Sequence, residues 1–248
     1  MSEPILNEVR SSVLYLTLNR ADKKNALTQG MYETLTRMLA DADKDPEIKA
    51  IHLTGSGDSF CAGNDIADFL EASRAGQTVP PGQAFLLQLH RQQKPVVAAV
   101  NGTAIGIGVT MLLHCDLVYA AKGISFKLPF VDLALVPEGG SSALLPQMLG
   151  HRKAAELLLA CEPFNSDQAE RYGIINRVFP AGSLLAESSA LAERLARKPA
   201  AAMCQAKSML KQNIDQPLEQ VIVSEIREFM ARLNESEAQQ ILQNYLTR

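Results

Sequence analysis

The sequence predicts an α/β domain, and three observations carry that prediction. Runs rich in β-formers, such as Val13-Leu14-Tyr15-Leu16-Thr17-Leu18 and Val96–Val100, alternate with stretches whose apolar residues recur at helical spacing. Glycine-bearing turns join strand ends to helix starts at Ala62-Gly63-Asn64-Asp65 and across 102–108. From about residue 197 to 248 only helical patterns remain. The expected organisation is an α/β core over 1–196 and a helical region over 197–248.

Taken in order, 5–9 and 12–19 read as strands around a polar Arg10-Ser11 turn, and 19–25 as a charged loop. Leu27, Met31, Leu35, Met38 and Leu39 form one face of a helix ending at Asp45-Pro46. Residues 50–54 read as a strand and 55–58 as a turn. The segment 60–66 leads into a short helix, 73–83 reads as a flexible insert, and 85–91 returns to helix. Residues 95–100 suit a buried strand, 101–108 a glycine-rich turn and 109–114 a helix. Strands are expected at 116–121, 124–126 and 174–179, with helices elsewhere after Gly140. Val221, Val223, Ile226, Phe229 and Met230 make a helix face apolar enough to need a partner surface. No internal repeat or low-complexity segment appears.

Composition narrows the function classes. Hydrophobic residues make up 47% of the 248, enough for a substantial core. A net charge of -3 without a basic stripe argues against a nucleic-acid partner. Cys61, Cys115, Cys161 and Cys204 form no CxxC pair and read as reduced thiols. No signal peptide, membrane-length apolar run or targeting tripeptide is recognisable, so the expectation is a cytoplasmic protein without a membrane partner.

Glu138 stands out because it sits between Pro137 and two glycines in an apolar region. A solvated loop carboxylate and a catalytic base are both open readings of that position. Gly102–Gly108 lacks the third glycine of a dinucleotide fingerprint and the Lys-Ser/Thr of a P-loop. Exposed N–H groups at such a turn still suit a developing oxyanion, although tight packing of turn on strand explains the glycines as well. The Gly63 turn offers a second donor. Two N–H donors and one carboxylate are the minimum set for removing a proton beside a carbonyl. His114-Cys115-Asp116 reads as a helix end entering a strand, and no metal site is expected. A hydrolase using Ser141 with His151 is a further alternative, without the Gly-x-Ser-x-Gly elbow.

The chain resembles the crotonase (enoyl-CoA hydratase/isomerase) superfamily over nearly its full length. The resemblance rests on Leu18-Asn19-Arg20, Lys24-Asn25-Ala26-Leu27, Phe60-Cys61-Ala62-Gly63-Asn64-Asp65, the run Lys94 to Gly102, and Cys115-Asp116. It implies a spiral of ββα units, a C-terminal helical region used for trimer contacts, and an acyl-CoA thioester substrate without a further cofactor. It places the oxyanion donors at the backbone N–H groups of Asn64 and Ile107. It assigns Lys23, Lys24, Ala26, Ala62, Asp65, Ile66, Lys207 and Lys211 to coenzyme A, each lysine having a solvated surface role as its alternative. Leu70, Thr110, Phe130 and Pro137 are expected around the acyl group, with simple core an equal alternative for Phe130 and for the helix that carries Leu70. Hydratases of the family carry two glutamates where this chain has Thr110 and Phe130. The Pro137-Glu138-Gly139 turn looks like the Δ3,Δ2-enoyl-CoA isomerase branch, whose single glutamate shuttles a proton. Another acyl-CoA enzyme of the same fold, with hydratase-like or other enolate chemistry, and a non-catalytic acyl-CoA-binding homologue are the rival readings. The resemblance also implies a homotrimer or a dimer of trimers.

Overall fold

A computed structural model describes residues 3–74, 80–212 and 217–247. Strands β1 (Ile5–Arg10), β2 (Val13–Leu18), β3 (Ala50–Gly55), β5 (Val96–Val100), β7 (Leu117–Ala121) and β10 (Arg177–Phe179) form one sheet in the order β1-β2-β3-β5-β7-β10. The β1–β2 pair is antiparallel and every other pair in this sheet is parallel. β3 and β5 are buried along their whole length, as parallel strands covered on both faces must be.

A second sheet of short strands runs β4 (Ser59–Cys61), β6 (Thr103–Ile105), β8 (Ser125–Lys127), β9 (Phe164–Asn165). Three of these depart from the sequence reading, which had 60–66 leading into a helix, a glycine turn across 101–108 and mainly helix after Gly140. Strands of two or three residues carry no readable alternation, and only their neighbours define them. The expected strand 174–179 shortens to Arg177–Phe179, while Ile174 and Ile175 are buried in a turn.

Helix α1 (Gln29–Lys44) starts at Thr28, whose hydroxyl accepts from Met31 N–H. It buries Met31, Tyr32, Leu35 and Leu39. Helices α2 (Ile66–Arg74) and α3 (Pro81–Arg91) take up both ends of the expected insert: 73–74 end α2, and Pro81 opens α3 at a position where a missing N–H costs nothing. Residues 75–79 lie outside the described residues. A single helical turn, α4 (Ile107–Thr110), follows β6.

Beyond β8 come α5 (Ser141–Leu149), α6 (His151–Leu158), α7 (Ser166–Arg171), α8 (Ala181–Ala196), α9 (Ala200–Gln212), α10 (Leu218–Leu233) and α11 (Ser236–Leu246). The last two fold back over the core. α10 packs on α3 and α5, and α11 on α2. Leu218, Ile222, Ile226, Phe229, Leu233 and Leu242 join the same buried cluster as the sheet residues. Among the described residues no helix is long and apolar enough to cross a membrane, and no group of three metal-ligating side chains occurs.

Lys207 fastens α9 to the sheet. Its ammonium, 5% exposed, lies 2.6 Å from Asp116 Oδ2 and donates to Lys94 O at 2.8 Å. Asp116 Oδ2 also accepts from Val96 N–H at 2.7 Å. Removing one partner strands the other in a poorly solvated place. Lys207→Ala is expected to destabilise the fold by about 2–3 kcal/mol, read as a lower urea midpoint at unchanged slope.

Candidate active site

Two turns from different sheet strands meet first. After β4 the chain turns through Ala62, Gly63 and Asn64, and after β6 it turns through Gly106 into α4. Gly108 permits the approach. A Cβ there would stand 2.5 Å from the Cys61 carbonyl oxygen and 3.0 Å from Cys61 Cβ. Leu27 N–H donates to Gly63 O at 2.8 Å, Asp65 N–H to Leu27 O at 2.9 Å, and Gly106 N–H to Lys127 O at 2.9 Å. These loop-fixing bonds leave the N–H groups of Asn64 and Ile107 outside them. Asn64 and Ile107 both line the same two cavities. One turn of helix contributes little dipole, so the donors act as individual N–H groups.

Glu138 reaches the first cavity from the loop before α5. Gly139 and Gly140, at φ +69° and +74°, make the reversal that a side-chain-bearing residue rarely adopts. The Glu138 carboxylate is 3% exposed and accepts from Thr110 Oγ1 at 2.5 Å. Burial pushes its pKa up to about 8; the Thr110 hydroxyl pulls it down and the Glu225 charge pushes it further up. The turn is held from three sides. Ser141 Oγ donates to Glu138 O at 2.6 Å, and His114 Nε2 donates to Gly139 O at 2.7 Å. Burial lowers the His114 pKa to about 3, so the ring is neutral and carries its proton on Nε2. Glu225, on α10, accepts from Gly140 N–H at 2.5 Å.

The walls around Glu138 are mostly apolar: Leu27, Tyr32, Phe69, Ile226, Phe229 and Met230. Ile226, Phe229 and Met230, whose pattern called for a partner surface, line this cavity, whereas Val223 is 45% exposed. Asp68 is the other carboxylate in this cavity, and it already accepts from Gln29 N–H at 2.9 Å. Tyr32, missed in the sequence because it lies in a helical core stripe, donates its hydroxyl to Asn64 Oδ1 at 2.5 Å. A second cavity opens on the other side of Asn64 and Ile107, where Ala62, Ile66, Phe130, Leu242 and Tyr245 line it.

The loop carrying Lys23, Lys24 and Ala26 lies against the 62–65 turn. Ala62 N–H donates to Lys24 O at 3.0 Å, and Arg20 bridges Ala26 O at 2.7 Å and Asp65 Oδ2 at 3.0 Å. Lys23 and Lys24 are exposed there. Several expected residues do not line these cavities. Lys207 and Lys211 line a separate polar pocket, Lys207 held by Asp116 and Lys211 donating to His90 O. Leu70 is 2% exposed within the core and lines neither cavity. Thr110 is fully buried behind Glu138 as its hydrogen-bond donor. Pro137 faces an outer groove with Val136 and Pro146. The Ser141–His151 alternative also loses its basis, since Ser141 is buried on Glu138 O and His151 is exposed.

A cavity lined by Asn64, Ile107 and the buried carboxyl of Glu138 has the groups that stabilising an enolate requires. Comparison with known proteins agrees. The family model described as enoyl-CoA hydratase/isomerase matches residues 8–248, and the chain belongs to that family. It is 32% identical to enoyl-CoA delta isomerase 2 of Rattus norvegicus, over 100% of this chain and 64% of the relative. It is 33% identical to the probable enoyl-CoA hydratase echA8 of Mycobacterium tuberculosis, over 92% and 88% of the two chains. The solved structure of Pseudomonas aeruginosa OdaA superposes with a TM-score of 0.95 at 40% identity, covering 100% of both chains.

A carboxyl group whose folded pKa is raised binds a proton in the native state that the unfolded chain releases. Its contribution therefore favours folding at low pH and is lost as pH rises from the unfolded value toward about 8. Glu138→Gln removes that loss. Its stability advantage over the wild type is expected to be small at pH 5 and to grow to a few kcal/mol by pH 8, on the order the shift allows. Paired urea titrations at several pH values measure it.

Proposed function

We propose that this chain is a Δ3,Δ2-enoyl-CoA isomerase that moves the double bond of a 3-enoyl-CoA to the trans-2 position. The observation that carries the reading is the desolvated carboxyl of Glu138 in its cavity, together with Thr110 and Phe130 at the chain positions that the family's hydratases give to glutamates. Hydration needs groups to orient and activate water. A double-bond shift needs one base and an anion site. The similarity to a rat enoyl-CoA delta isomerase supports the same choice.

In this reading the thioester oxygen accepts the N–H groups of Asn64 and Ile107. The Glu138 carboxylate removes a proton from C2, and the electron pair delocalises through the C3–C4 double bond and the thioester as a dienolate. Glu138, now protonated, returns the proton to C4, leaving the double bond between C2 and C3. Burial makes the carboxylate basic enough for the first step, and the apolar walls keep water from adding. Coenzyme A would run over the paired loops, with Lys23 and Lys24 toward its phosphates and Ala26, Ala62, Asp65 and Ile66 along its length. Phe130, with Phe69 and Phe229, would enclose the apolar part of the ligand.

Incubation with a 3-enoyl-CoA is expected to give the conjugated thioester without a gain of mass, with kcat/KM rising toward a plateau above about pH 8. Glu138→Gln is expected to lower turnover about 100-fold or more. Thr110→Val deletes the donor that favours the ionised carboxylate, so the acidic limb should move to higher pH. Gly108→Ala wedges the two donor turns apart and is expected to cost about 100-fold in kcat. An unchanged 3-enoyl thioester, or a product heavier by one water, would overturn the reading.

A further inference from the structure

The C-terminal helix α10 does more than roof the cleft. Its Glu225 side chain, 8% exposed, crosses to the start of α5 and takes three donors there. Gly140 N–H lies 2.5 Å from Oε2 and Ser142 N–H 2.9 Å from Oε1, and Ser142 Oγ also donates to Oε1. The residue in the N-cap position of α5 is Gly140, which has no side chain to cap with, so the first-turn N–H groups are met from another helix. Ile222 and Leu218, one and two turns earlier on α10, press on the same glycine: a Cβ on Gly140 would stand 2.8 Å from Leu218 Cδ1. Two residues before that glycine is Glu138.

We propose that Glu225 is a positioning residue for the reaction, clamping the Glu138-Gly139-Gly140 reversal so that docking of α10 sets the direction of the base. The inference rests on Glu138 being that base. Glu225 touches neither cavity wall beside Glu138 and acts through the turn. It also adds a negative charge near the base. The polar and charged groups facing Glu138 come from each packed element: Thr110 from α4, Tyr32 from α1, His114 through Gly139 O, and Glu225 from α10. Asp68 of α2 lines the same cavity as Glu138, and among the described residues Glu225 is the carboxylate that bonds to the turn itself.

The test compares the wild type with Glu225→Gln and Glu225→Ala on a 3-enoyl-CoA, beside amide hydrogen exchange of residues 138–143 followed by mass spectrometry. Gln keeps the size and one acceptor but loses the charge. It is expected to lower kcat three- to tenfold with KM within threefold, and to move the acidic limb to lower pH because the like charge is gone. Ala should lower kcat more than tenfold. Both should speed exchange at 138–143, Ala by tenfold or more, while β5 stays protected. If Ala fails to fold, Gln carries the test. Wild-type kcat and pH limb in Glu225→Gln would overturn the inference, even if exchange rises, because Glu225 would then be a helix cap alone. If the wild type itself leaves 3-enoyl-CoA untouched, the isomerase reading fails; exchange then decides the clamp, and unchanged exchange in the variants overturns it.

Discussion

The structure turns on one unfavourable placement, a carboxylate taken out of water with a single hydroxyl to satisfy it. Desolvation is the largest influence on Glu138, and Thr110 offsets only part of it. Such a group costs the fold stability at neutral pH. The surrounding architecture is arranged to keep it in place. Two glycines at positive φ reverse the chain, Ser141 and His114 hold the backbone carbonyls of the turn, and a helix from the far end of the sequence closes over it. Strain of this kind persists where the neighbours over-determine the geometry.

The donor side of the site follows a different logic. Asn64 and Ile107 offer backbone N–H groups, so their side chains are free for other work. Asn64 uses its own to accept from Tyr32, which ties α1 to the turn. The close contact of Gly108 with Cys61 joins the two turns into one rigid unit. The chain around 20–27 then pairs with 62–65 through main-chain bonds and Arg20. Asn25, fully buried, adds bonds to Ser56 O and Ser59 O that pin this loop to the same strand end. The two glycine turns and the 20–27 loop are therefore parts of one structure.

Much of this was legible in the sequence, for physical reasons that differ by residue. The parallel strands β3 and β5 announced themselves as apolar runs, and Glu138 announced itself by being charged among Pro, Gly and Leu. The two donor turns were visible as glycines between strand and helix. The second sheet was not, because β4, β6 and β9 are too short for any period to show. The cleft walls were half legible: the α10 face asked for a partner, yet nothing local said that the partner was the cavity. Tyr32 hid in a helix stripe whose other members are core. Leu70 sat one residue from Phe69, and only the helix rotation decides which of them faces the cleft. Lys207 was read as a cation for phosphate because its carboxylate partner, Asp116, lies 91 residues away.

The central claim is that one buried carboxylate carries a proton between two carbons of the same ligand. Supplying 3-enoyl-CoA with deuterium at C2 tests this directly, by locating the label in the 2-enoyl product with mass spectrometry and NMR. A shuttle shielded from water should deliver a measurable fraction of the label to C4, with no oxygen gained. Complete loss of the label to solvent, or its retention at C2 in a hydrated product, would contradict the account.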